Sequence, residues 1–452
     1  MSDMKSAHDP VTEADFPNRR YAWWVVVVLF LAYVVSFLDR QILTLLIDPI
    51  KQDLQISDTA ISLLHGFTFA IFYTIFGIPL GRLADTRNRK RIIIFGVTLW
   101  GLMTAACGFA RNATMLFSAR IGVAVGEAAL SPSAYSMISD YFPRDHRGRA
   151  ISLYSLGIFA GAGMAYIFGG LVSELANRTV MSSIPFLSQF RPWQLTFLLA
   201  ATPGVLIIAL LLTIREPARK ERLSDNEGTL PLRAVLAYLK RYKKAYFALL
   251  IGNSFIALAN YSLFSWTPSY FIRAFEYTPK EIGMTFGLIL LTFGTAGLVL
   301  GGTIADARFR GGRLAAHLDI TIIASALAML HALLMLLDLG EQIQLALIAA
   351  VVFCGAITTG LIPASLQLIT PNELRGQVSA LYLLLTALIG LGIGPTAVAL
   401  MTDYYFKDTM KVGAAMAIII AIALSIAVLL MLSGRKAYLQ RQQQIADELL
   451  NP

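Results

Sequence analysis

The chain has 452 residues, of which 56% are hydrophobic and only 14% charged, with a formal charge of +9. Soluble domains carry about 25% charged residues, and a soluble fold of this length has nowhere to hide so much apolar surface. The apolar residues gather into uncharged stretches such as 21–38 and 412–433; a run of about 18 or more crosses a ~30 Å hydrocarbon core at 1.5 Å per residue. The composition therefore points to an all-α membrane protein.

Taken in chain order, residues 1–20 form a polar tail, and the run that follows is too long for the core of a signal peptide. Twelve spans are predicted, the first six near 21–47, 57–81, 92–110, 113–139, 150–172 and 193–214. Span 1 carries Asp39 and Arg40 late in its run, span 2 His65, and span 4 Arg120 and Glu127. Span 5 is rich in glycine (157, 161, 163, 169 and 170), which permits close helix approach. Residues 215–244 are the one long hydrophilic interruption. Within them Leu232, Val235, Leu236 and Leu239 fall at helical spacing after Pro231. Two readings stay open there: an amphipathic helix on the inner membrane surface, held partly by acidic lipids, or a solvated linker.

The second six spans are predicted near 245–272, 280–302, 315–338, 343–369, 377–402 and 412–433, followed by a tail at 434–452. The halves are thus 21–214 and 245–433. Span 7 offers Asn253, Asn260, Tyr261 and Trp266; span 10 offers Thr358 and Thr359. Cys107 and Cys354 lie in spans of different halves and read as packing residues, with no disulfide, metal site or cofactor implied. His65 and His331 stand alone in their spans, and a lone histidine there reads first as a packed polar residue.

An even number of spans puts both chain ends on one face. The ends and the loops on their side hold 27 lysines and arginines, against 8 in the opposite loops. That asymmetry places the ends in the cytoplasm, at the cell's inner membrane, and accounts for the positive charge without nucleic acid. The two halves also repeat each other. Gly81-Arg82-Leu83-Ala84-Asp85-Thr86-Arg87 after span 2 matches Gly302-Thr303-Ile304-Ala305-Asp306-Ala307-Arg308 after span 8. Pro143 with Arg147-Gly148 and Tyr154 matches Pro371 with Arg375-Gly376 and Tyr382.

The segment Gly81 to Arg91 resembles the loop 2–3 signature of the major facilitator superfamily, with Thr86 where a base is usual and Asn88 where glycine is usual. Arg120 to Ala128 is similar to that family's span 4 motif. Within the superfamily the chain resembles bacterial homologues of the spinster group, through Asp39-Arg40, Gly126-Glu127-Ala128-Ala129 with Ser131-Pro132, Tyr141-Phe142-Pro143 with Arg147-Gly148, and Trp266-Thr267-Pro268. Sugar-acid and organic-anion symporters share parts of these motifs. The resemblance implies two pseudo-symmetric six-helix bundles working by alternating access, with spans 1, 4, 7 and 10 lining a central cleft, and the export of lysolipid or sphingolipid with proposed proton coupling. It also implies a cytoplasmic gate in which Asp85 meets the start of span 11, with Arg89 and Arg147 beside it.

An ionisable group near the bilayer centre costs about 2.5–3.5 kcal/mol or more, so each one is a functional candidate. On predicted spans, Asp39 lies ~7 Å and Arg120 ~9 Å outward of the midplane, with Glu127 at the middle and two turns from Arg120 on one face. The expectation is that Arg120 is a cation shared by two carboxylates, Asp39 and Glu127, whose exchange couples proton movement to the rocking of the halves. The competing reading is a structural ion pair joining spans 1 and 4. Arg40 is expected to bind an anionic headgroup or join the charged network, rather than only to snorkel to the interface. The C-terminal wall, Asn253, Asn260, Tyr261, Trp266, Thr358 and Thr359, is expected to hold the apolar part of a lipid-like anion. A small organic anion bound by Arg40 and Arg120 is the alternative substrate. The partners expected are such an anion, protons and membrane lipids, and the chain is expected to act as a monomer. A membrane enzyme is disfavoured, because no nucleophile signature, phosphate loop or metal spacing occurs.

Overall fold

The structure, a computed structural model, describes residues 17–177, 187–219, 232–337 and 339–450. Twelve helices in it are long and apolar enough to cross a membrane: Arg19–Leu45, Asp58–Ala84, Arg89–Gly108, Ala113–Tyr141, Arg149–Ala176, Pro192–Thr213, Lys243–Phe275, Pro279–Arg310, Ala316–Leu334, Glu341–Leu368, Leu374–Phe406 and Thr409–Ile445. These are spans 1 to 12 below. The expected spans are all present, with ends moved by a few residues. The face where span 1 begins is called proximal here and the other distal.

Local chemistry sets the ends. Asn88 and Asn112 cap spans 3 and 4 by accepting the backbone N–H of Arg91 and Met115. Thr278 and Glu281 form a reciprocal capping box at the start of span 8. The last helix runs unbroken from Val412 to Leu450, about 58 Å at 1.5 Å per residue. It outruns the bilayer, so the stretch read as a tail from 434 begins as helix. A separate helix covers Leu232–Arg241 in the linker. It is pinned to the second half: Val235 is buried, and Tyr238 Oη donates to the Ile369 carbonyl at 3.2 Å. The Arg441 guanidinium stacks 4.4 Å from the Tyr242 ring.

Span 4 is broken at Ala128 and Ala129, between helices Ala113–Glu127 and Leu130–Tyr141. Pro132 explains the break, because its ring clashes with the carbonyl four residues back and it offers no N–H. The helix therefore loosens directly after Glu127. Spans 3 and 4 cross at glycine: a Cβ on Gly96 would fall 2.7 Å from the Gly126 carbonyl oxygen. Across the halves, spans 5 and 8 meet backbone to backbone, and a Cβ on Gly287 would fall 2.5 Å from the Gly163 carbonyl oxygen. Span 2 meets span 11 where both wind as π-helix, at Leu63–Phe67 and Thr386–Ile393. Such insertions often mark functional positions.

Candidate functional site

Three residues of spans 1 and 4 converge inside the first half. Ser36 and Arg40 are one turn apart on span 1 and both face Glu127. Glu127 Oε2 accepts Ser36 Oγ at 3.0 Å, Arg40 Nε at 3.2 Å and Arg40 Nη2 at 2.5 Å. Arg40 is held in an aromatic cage, its guanidinium carbon 4.8 Å from the Phe69 ring, 5.3 Å from Phe37 and 5.4 Å from Tyr73. Charge over the ring faces adds to the ion pair. Glu127 Oε1 has no partner.

Arg120 is placed differently from expectation. Its Nη1 donates at 2.8 Å to the backbone carbonyl of Asp39, not to the Asp39 carboxylate, and it makes no ion pair with Glu127 among the described residues. Its Nε and Nη2 are buried without a partner, as is Asp39 Oδ1. The physical reason lies in span 1. Arg40 leaves the helix on the Glu127 side and takes that carboxylate, and Phe69 fills the space between the two guanidiniums, 5.5 Å from Arg120. The expected shared cation is therefore two cations with separate tasks. Arg40 does not snorkel; it joins the charged network, closing with Glu127 the ion pair expected of Arg120.

The cluster also gathers residues that sequence reasoning read as packing, His65 and Cys107, together with Trp100 and Thr104. His65 is 2% exposed with neither ring nitrogen bonded, and it sits beside Arg120 and Arg40 on the π-helical turn of span 2. Cys107 is fully buried in span 3, within electrostatic reach of Arg120. Trp100 and Thr104 of span 3 are the neighbours of the Asp39 carboxyl, yet Trp100 Nε1 and Thr104 Oγ1 complete no hydrogen bond. Spans 1 to 4 thus enclose one buried polar cluster with several donors and acceptors left without hydrogen-bond partners among the described residues. Buried polar groups are normally satisfied, so such a cluster is suited to handling a polar solute or a proton. The one signal available earlier was a histidine and a cysteine in spans adjoining charged ones, which carries no depth or direction.

The C-terminal wall divides in two. Trp266 is fully buried and its Nε1 donates to the Pro395 carbonyl at 2.9 Å; Thr358 is buried and donates to the Gly355 carbonyl at 2.7 Å. Both are committed to packing within their bundle. Asn253 donates to Thr386 Oγ1 at 2.8 Å. Asn260, Tyr261 and Thr359 are only half-buried. Of these, Tyr261 packs against the apolar core of the first half, and Thr359 donates to the Gly355 carbonyl at 3.1 Å.

At the proximal face, Arg89 is a staple within the first half. Its Nε meets Glu216 at 2.7 Å, its Nη1 reaches Asp140 and Ser136 Oγ, and its Nη2 donates to the Pro217 carbonyl at 3.0 Å. It ties the starts and ends of spans 3, 4 and 6 and reaches no residue of the second half in these bonds. Arg219 caps the end of span 2, donating to the carbonyls of Ala84 and Arg87 at 2.7 and 2.6 Å. Arg147 is half-buried. The side chain of Asp85 lies outside the described residues.

Comparison with known proteins agrees with this architecture. Residues 29–395 match the family model of the Major Facilitator Superfamily. An MFS-type efflux pump of Mycolicibacterium smegmatis is 27% identical over 426 residues, 93% of this chain and 94% of that protein. Protein spinster of Drosophila melanogaster is 26% identical over 303 residues, 64% of this chain and 46% of its own length, so this chain spans about half of that relative. The crystal structure of a bacterial homologue of the human lysosomal transporter Spinster, inward-facing and unoccupied, superposes with a TM-score of 0.74 at 25% identity, covering 94% of this chain and 98% of the other. Twelve spans in two halves, a charged pocket inside the first, and a family match over most of the length lead to one conclusion: the chain belongs to the major facilitator superfamily and is a membrane transporter, not an enzyme.

Proposed function

We propose that this transporter couples protons to the movement of an amphipathic, lipid-like anion by alternating access, with its termini in the cytoplasm. The observation that carries the coupling is the buried Arg40–Glu127 pair standing beside Arg120, whose Nε and Nη2 lack hydrogen-bond partners, and Asp39, whose Oδ1 lacks one, among the described residues. A carboxylate stripped of its guanidinium in such a site is costly unless it takes up a proton. If rocking of the halves draws Arg40 away from Glu127, the acid protonates; when the pair re-forms, the proton leaves. Arg120, already braced on the Asp39 main chain, has its Nε and Nη2 without hydrogen-bond partners among the described residues, donors that an anion reaching the cluster would satisfy. Asp39 is the second acid in reach of that anion.

The lipid-like substrate is supported by the spinster likeness and by the neutral character of the opposing wall at Asn260, Tyr261 and Thr359. A small organic anion is the second reading, favoured by the open N–H groups of Arg120, which fit a carboxylate. Reconstituted protein under an imposed pH gradient tests the proposal. Wild type should drive a lysolipid across, and Glu127→Gln and Asp39→Asn should each lose the pH dependence. Driving only a short-chain acid would select the second reading. A pH response surviving both substitutions would remove the coupling mechanism.

A further inference from the structure

At the distal face, the halves are joined by charges that the pocket does not use. Arg273, at the end of span 7, reaches across to the first half. Its Nε lies 2.8 Å from Asp48 Oδ1, and Nη1 and Nη2 each lie 2.8 Å from an oxygen of Asp58. Asp58 is the first residue of span 2, is fully buried, and also takes Lys51 Nζ at 2.6 Å. Arg273 is aimed by its own half: Nη1 donates to the Thr409 carbonyl at 3.2 Å, and the guanidinium lies 5.8 Å from the Trp266 ring.

The next residue is gripped from another helix. The Thr59 backbone N–H and Oγ1 both donate to Asp403 Oδ2 at 2.7 Å. Asp403 closes span 11, so its carboxylate sits on the N-terminus of span 2, where unpaired N–H groups and partial positive charge favour an anion. Two adjacent residues, Asp58 and Thr59, are therefore held by two spans of the opposite half through charge-assisted hydrogen bonds, which are about twice as strong as neutral ones. Such bonds need short distances and good angles, so a small parting of the halves breaks the whole set together. Apolar packing, by contrast, weakens gradually.

We propose that Arg273 and Asp403 form a two-point latch on the first turn of span 2, which holds the distal side shut and must release before the pocket opens to that side. The latch rests on the alternating-access part of the proposed function. It is independent of the proton step, since none of its residues lies in the pocket. Span 2 also makes it a reporter of the pocket: the turn it clamps leads in two turns to His65, so a latched first turn fixes the depth of that helix against Arg120.

The test is conformational and needs no substrate. Spin labels are placed by Gln52→Cys and Lys411→Cys, both exposed positions on opposite halves, in the full chain reconstituted in liposomes; Cys107 and Cys354 are buried and stay unlabelled. Wild type should give mainly the short distance. Arg273→Gln should raise the ratio of long to short by considerably more than about tenfold, since it removes three charge-assisted bonds to Asp48 and Asp58, each of which alone is on that scale. Asp403→Ala should raise it less, and Arg273→Lys, which keeps the charge, should stay mostly short. Unchanged distances in both Arg273→Gln and Asp403→Ala would overturn the latch, as would opening by Arg273→Lys equal to that by Arg273→Gln. If Arg273→Gln does not fold, Asp403→Ala decides alone, because it removes only acceptor atoms. Lost pH dependence with an intact latch response, or the reverse, tells failure of the coupling mechanism from failure of this one.

Discussion

In the first half, Asp39, Arg40, Arg120 and Glu127 stand deep within spans 1 and 4, and several of their polar atoms are buried without partners. In the second half, the charged residues of spans 7 to 11 stand near span ends, among them Arg273, Asp306, Asp319, Glu341 and Asp403. The mid-span polar side chains tested there mostly bond to their own backbone, as Thr358 and Thr359 do on Gly355 and Ser365 does on Leu361. On the proposed mechanism the two bundles divide the work: the first would hold the groups that exchange a proton, and the second would supply a neutral wall and, through Arg273 and Asp403, the proposed latch.

The sharpest way to break this contrast is at Glu127. Glu127→Gln keeps the size and an acceptor for Ser36 and Arg40 but removes the proton site, and pH-driven uptake in liposomes should fall to background. Substrate exchange without a gradient should persist. Next in size is the pair itself. Arg40→Ala leaves a buried carboxylate uncompensated and should cost about 3–5 kcal/mol of stability at neutral pH, measured by thermal or denaturant unfolding in detergent. Adding Glu127→Gln to it should restore most of that loss, since the uncompensated charge is gone.

In the second half the effects should be smaller and purely structural. Asn253→Ala removes one hydrogen bond to Thr386 and should cost about 1 kcal/mol without altering the pH dependence of transport. Thr358→Val swaps a hydroxyl bonded to its own helix for a methyl group and should change stability by less than about 1 kcal/mol, with transport unaltered. A large coupling defect from either would mean that the two bundles are not divided in this way.

Much of the fold was legible because a membrane helix announces itself by length and apolarity, and all twelve spans follow from that rule alone. The charged residues of the pocket were legible too, because an ion in hydrocarbon is costly wherever it points. Their pairing was not. Asp39 and Arg40 are neighbours on one helix, and 100° of rotation decides which of them meets Glu127. That rotation is set by packing against Phe37, Phe69 and Tyr73, residues indistinguishable in sequence from any other apolar filling. His65 was read only as a packed polar residue for the same reason: one histidine in a span says nothing about whether Arg120 stands near it. Arg89 shows the converse. Its place in a recognisable loop suggested a gate, while its bonds to Glu216 and Pro217 depend on where the chain returns after span 6.

The most direct test is proton movement itself. In liposomes with a substrate gradient and no initial pH gradient, a pH-sensitive dye inside should report a proton flux with wild type. With Asp39→Asn and Glu127→Gln combined, the signal should match empty liposomes although the protein still binds substrate. A wild-type-sized flux from that double variant would contradict the account.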